Sequence, residues 1–155
     1  MVVLCALAIA SGCAHAGAGT EADAQAAVAE GVRAALKLYL PPDQPLGGTV
    51  CVEVVSLADF ERGVVEALGS TGIPAVGMAD CARAGPTAVL LVKVQSYEWT
   101  DWLTHGALAM QGTVETRPDE RRNFRLSWWR ATFRVSLAFR DGHWFAVSAD
   151  ELGRI

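Results

Sequence analysis

The segment from Phe124 through the dipeptide Asp141-Gly142 to Ser148 limits the fold more than any other part of the chain. Phe133, Val135, Leu137 and Phe139 take alternate positions, and Thr132, Arg134, Ser136 and Arg140 take positions between and beside them. A strand turns successive side chains to opposite faces, so this pattern predicts a long strand, apolar on one side. Asp141-Gly142 has the residue types of a two-residue hairpin, whose tight primed turn requires positive φ. The register set by that turn puts Phe139 opposite Trp144 and Leu137 opposite Ala146, so the apolar face continues across both strands. A sheet with one apolar face must cover it, and helices are the usual cover.

The helices are sought upstream. Residues 21–40 are rich in alanine, with Ala27, Val28, Val32, Ala35 and Leu36 at near-helical spacing before Pro41-Pro42. Thr49–Val55 is β-branched and reads as a strand. Ser56 is then the expected cap of a second helix, with Asp59 near the positive end of its dipole. Leu57, Phe60, Val64, Ala67 and Leu68 make its apolar stripe, while Asp59, Glu61, Arg62 and Glu66 are expected to face water. Gly69 and Gly72 close it, and Ile73–Met78 follows as a short extended piece. Thr87–Trp99 and Gly106–Thr116 read as further strands, with Lys93, Gln95, Tyr97 and Trp99 expected on one face of the first.

The chain has 155 residues, a length that suits one domain. Its 52% apolar and 19% charged residues exclude a disordered, solvating chain. The expected fold is α+β: helices on one face of a mainly antiparallel sheet of four to five strands, formed by residues 21–155. A net charge of −4 argues against a general nucleic-acid binder.

Met1–Ala10 is an uncharged apolar run, the length of a secretory hydrophobic segment and too short to span a bilayer. With Ala10-Ser11-Gly12-Cys13 behind it, the N-terminus resembles a bacterial lipoprotein precursor. The resemblance implies cleavage after residue 12 and acylation of Cys13. Residues 13–20 become a tether, and Ala14 directs the protein to the outer membrane. Of four cysteines, Cys5 is then removed and Cys13 is consumed, leaving Cys51 and Cys81. In an oxidising periplasm that remainder reads as a disulfide; two buried free thiols are the alternative.

Cys51-Val52-Glu53, Phe60 with Ala67-Leu68, Gly72, Cys81, the strand Val89–Val94 and Tyr97-Glu98-Trp99-Thr100-Asp101-Trp102 form a pattern. It resembles small proteobacterial envelope lipoproteins of unknown function. The same strand–helix–strand order resembles domains of accessory lipoproteins in outer-membrane assembly and transport. The resemblance implies a non-enzymatic envelope role.

No nucleophile elbow, phosphate-binding loop, dinucleotide fingerprint or zinc-binding spacing is present, so the reading assigns no catalytic residue, metal or cofactor. Ser96, Asp101 and His105 are near in sequence but lack a nucleophile turn. Asp150 and Glu151 are adjacent, an arrangement that rarely sets catalytic spacing.

Two features remain as a partner surface. Trp128 and Trp129 are consecutive, so in a strand they point to opposite faces, and exposed tryptophan is typical of binding hot spots. Residues 117–155 carry eight arginines against five acids, with Arg117, Arg121, Arg122 and Arg125 clustered beside the tryptophans. Guanidinium groups take carboxylate or phosphate in two-pronged geometry, which points to an envelope protein or anionic envelope component. Burial of both tryptophans by the domain itself, and a merely solvated arginine face, are the alternatives. The expected function is an outer-membrane-anchored binding or scaffold module. The rival classes are a small periplasmic enzyme or ligand carrier, which a deep pocket would favour, and an unexported cytoplasmic domain.

Overall fold

A computed structural model describes residues 20–40, 47–55, 58–85, 88–101, 103–116 and 129–155. The expected signal segment at 1–12, most of the tether, Pro41-Pro42, the Ser56 cap and the start of the strand at Phe124 lie outside these residues.

The first described element is helix α1 (Glu21–Lys37). Thr20 caps it: its hydroxyl accepts from the Asp23 N–H at 3.2 Å, and the Asp23 carboxylate accepts from the Thr20 N–H at 3.1 Å. Ala27, Val28, Val32, Ala35 and Leu36 are buried, as their spacing predicted. Strand β1 (Thr49–Val54), helix α2 (Ala58–Ser70) and strand β2 (Ala75–Gly77) follow. A short helix α3 (Met78–Ala84) leads to β3 (Ala88–Trp99) and β4 (Ala107–Thr116). Strands β5 (Arg130–Arg140) and β6 (His143–Arg154) complete the fold.

The α+β class is as expected, but the sheet has six strands and is mixed. Its order is β2-β1-β3-β4-β5-β6. β1 runs parallel to β2 and β3, and the remaining pairs are antiparallel. The expectation of four to five mainly antiparallel strands failed at the parallel end. β2 has only three residues, too few for a period to register in sequence.

The expectation that helices cover one face also needs correction. α1 and α2 pack on the side of Val50, Val52 and Val54, while Cys51 and Cys81 form a separate cluster with Val76, Ala84 and Leu91. α3 therefore lies on the opposite face. The chain steps from β1 to β2 in one direction, then from β2 past β1 to β3 in the other. Crossovers between parallel strands are right-handed, so reversing the direction places the second helix on the other face.

The hairpin matches its predicted register. Phe139 pairs with Trp144 and Leu137 with Ala146. Asp141 and Gly142 have φ of 53° and 83°, the primed geometry. In β3 the expected phase breaks. Val94 faces Gly112 and Ser96 faces Gln111, leaving Gln95 as an extra residue. The bulge reverses the alternation, so Tyr97 and Trp99 join Val92 and Val94 on the helix side, away from Lys93. Tyr97 stacks on Phe60 of α2 with ring centroids 4.9 Å apart.

Candidate functional site

Of the residues expected to carry function, Cys51 and Cys81 are joined by a disulfide with Cα atoms 5.5 Å apart. It fastens α3 to β1, and both cysteines are buried. Cys13, Arg121, Arg122, Arg125 and Trp128 lie outside the described residues. Trp129 is half-buried on the helix side of the sheet, just before β5.

Trp129 belongs to a cluster at the end of α1. Its ring centroid is 5.1 Å from that of Tyr39, and the Arg154 guanidinium lies 5.3 Å from Trp129 and 5.5 Å from Tyr39. Glu151 holds Arg154 through two contacts of 3.1 and 2.7 Å, which lowers the carboxyl's pKa and raises the guanidinium's. Burial, followed by the charge of Glu151, pushes the Tyr39 phenol up to about 12. Among the described residues the buried hydroxyl of Tyr39 has no hydrogen-bond partner. The cluster presents a planar cation stacked against two aromatic rings, on a strand edge.

A second feature was not foreseen from sequence: a cleft of about 500 Å³ between α1, the end of α2 and the β5–β6 hairpin. Asp23 and Glu30 line it from α1, Ser70 and Thr71 from the end of α2, and Phe139 and Trp144 from the hairpin strands. Ala26 and Ala29 allow the opening, because a longer side chain on that helix stripe would fill it. The Ser70 and Thr71 hydroxyls donate at 2.7 Å to the Ala67 and Leu68 carbonyls. Glu30 accepts from Arg33 through both oxygens at 2.7 Å, which raises the guanidinium's pKa. Trp144 is 8% exposed, and among the described residues its buried indole N–H has no partner. Beneath it the rings continue, to Phe139 at 5.4 Å and Trp99 at 5.8 Å, with His105 edge-on to Trp99 at 5.1 Å. The sequence signal was present in the small α1 stripe and the paired aromatics, but nothing local showed that they converge.

Of the residues in the catalytic combinations weighed from sequence, Asp101 and Glu151 have other partners. The Asp101 carboxylate accepts from the backbone N–H groups of Leu103 and Thr104 and from the Thr104 hydroxyl, which lowers its pKa. Asp150 sits opposite Arg134 and Glu151 opposite Phe133, so the two acids leave the sheet on different faces. Among the described residues no group of three His, Cys, Asp or Glu side chains is placed to hold a metal ion. No helix among them is long and apolar enough to cross a membrane.

Comparison with known proteins found no matching family model, no matching curated protein and no matching solved structure.

Proposed function

We propose that this chain is an outer-membrane-anchored periplasmic lipoprotein, held by an acylated Cys13, that acts as a non-enzymatic binding module. The observation that carries the reading is the Cys51–Cys81 disulfide. Such bonds persist in oxidising compartments and are rare in the reducing cytosol. The apolar run Met1–Ala10, with the small-residue box before Cys13, accounts for export, and acyl chains worth about 0.8 kcal/mol per buried CH₂ account for retention at a bilayer. Trp129 with Trp128, Arg121, Arg122 and Arg125 is the proposed contact surface for an envelope protein or anionic envelope component. The half-exposed Trp129 ring supports it by offering an aromatic face beside a cation. A second reading, a small ligand carrier, is favoured by the cleft beside Trp144.

Metabolic labelling with a clickable fatty acid, combined with membrane fractionation, tests the anchor. The native chain is expected to carry label in the outer-membrane fraction, and Cys13→Ser is expected to lose it. Label retained by Cys13→Ser, or a chain in cytosolic extract still beginning at Met1, overturns the reading. For the surface, Trp129→Ala with charge reversal at Arg121 and Arg122 is expected to release partners recovered by in-cell crosslinking.

A further inference from the structure

The cleft between α1, the end of α2 and the β5–β6 hairpin has a negative rim over an aromatic floor. Asp23 and Glu30 contribute carboxylates, and exposed His143 stands at the hairpin side. α2 ends at Ser70 and Thr71 without a basic residue in its last turn, so no cationic side chain of that turn offsets the negative end of its dipole, although both hydroxyls donate to its last carbonyls. The positive end of α1 is already answered by Glu21 and Asp23 in its first turn. Glu30 is ion-paired with Arg33, which does not line the cleft, and Asp23 accepts from the Thr20 N–H and hydroxyl, so each carboxylate offers an occupant only part of its charge. Phe139 and Trp144 form the floor, and aromatic faces attract organic cations. A volume near 500 Å³ is within the range of small-molecule sites. Among the described residues the Trp144 indole N–H has no hydrogen-bond partner, and it is shielded from solvent, so it reports on the floor of the cleft without being open to an occupant.

We propose that this cleft binds an organic ammonium ion carried on an apolar stem, either a free amine or the headgroup of an aminated lipid. The carboxylates and helix end receive the charge, the rings receive the alkyl groups around it, and the alanine stripe of α1 receives the stem. The inference stands on the cleft alone and is independent of acylation at Cys13.

The test uses the full chain with its disulfide intact. Hexyltrimethylammonium, hexanol and hexanoate are titrated separately while the indole N–H resonance of Trp144, assigned with Trp144→Phe, is followed by NMR. The ammonium is expected to saturate the shift at least tenfold below the concentrations needed for hexanol or hexanoate. Asp23→Asn with Glu30→Gln keeps an acceptor oxygen for the α1 cap and for Arg33, and is expected to weaken ammonium binding at least fivefold. Phe139→Leu is expected to weaken it several-fold. Vesicles of phosphatidylcholine and of phosphatidylglycerol distinguish the sources. A shift with free ammonium assigns a soluble amine, and a shift with phosphatidylcholine vesicles alone assigns a lipid headgroup. Equal response to all three hexyl compounds overturns the proposal. So does the absence of any saturable response to both ammonium and phosphatidylcholine, or unchanged ammonium binding in the doubly substituted chain.

Discussion

Glu61 occupies a position that an amphipathic wheel assigns to water, yet its carboxylate joins two strand ends. One oxygen accepts from the Val54 N–H at 3.1 Å and the other from the Met78 N–H at 3.1 Å. It thereby caps α3, whose own N-cap is Gly77, and a side chain at 77 would meet Glu61 Oε1 at 2.6 Å. Glu61→Ala leaves two backbone donors without this acceptor and is expected to cost about 1–3 kcal/mol in urea unfolding. Two other glycines differ in what confines them. A Cβ at Gly112 would stand 2.2 Å from the Lys93 carbonyl oxygen, which is backbone in the adjacent strand. At Gly31 it would stand 1.9 Å from Met110 Sδ, the end of a flexible side chain. Gly112→Ala is therefore expected to destabilise by about 2 kcal/mol or more, and Gly31→Ala by less, in the same measurement. Tyr39 contributes a pH dependence. Its folded pKa of about 12 lies above the ordinary 10.0, so the folded state holds the phenolic proton more tightly. That contribution is complete below pH 10.0 and is lost as the pH rises through about 12. Its size is about 1 kcal/mol, less than the full shift implies because the ring is partly open to solvent. Tyr39→Phe should flatten chemical-denaturation stability between pH 10 and 12 while leaving neutral stability unchanged or higher.

At the level of elements, the disulfide and α3 act together. α3 has seven residues, fewer than an isolated helix needs, and Cys81 fixes it to Cys51 across a separation of 30. Replacing both cysteines by alanine is expected to lower stability by about 3–4 kcal/mol on the chain-entropy model, read as a fall in midpoint. Amide exchange should accelerate first in α3 and β2. A uniform loss across all six strands would contradict this local role. The sequence made the strands and two longer helices legible because each repeats its period several times. It marked β2 only as part of a short extended piece and α3 not at all, because neither completes enough repeats. The phase of Tyr97 and Trp99 was misjudged for a related reason. A one-residue bulge at Gln95 carries no compositional mark, yet it reverses every side chain beyond it.

Across the whole molecule, α1 lies on the antiparallel half, α2 on the parallel half, and one continuous core joins them. Among the described residues Phe133 is the largest fully buried side chain, and it lies on β5, beside the edge strand β6, in the core shared with α1. Phe133→Ala is expected to cost about 3–5 kcal/mol and to loosen both halves in one cooperative transition, seen as coincident far- and near-ultraviolet melts. The edges are kept from extending the sheet: β2 is three residues long, and β6 carries register shifts that expose Val147 and Leu152.

From the residues alone came the hairpin with its register, the Thr49 strand and the two amphipathic helices. Each is set by neighbours a few positions apart and needs no knowledge of the distant chain; the Cys51–Cys81 pairing was expected only through the lipoprotein resemblance. The tertiary structure decided the mixed strand order, the side taken by α3, the double acceptance at Glu61 and the meeting of Asp23, Thr71 and Trp144 around one cleft. Those features join segments from opposite parts of the chain, so they follow from crossover handedness, sheet pairing and core packing, which no local pattern encodes.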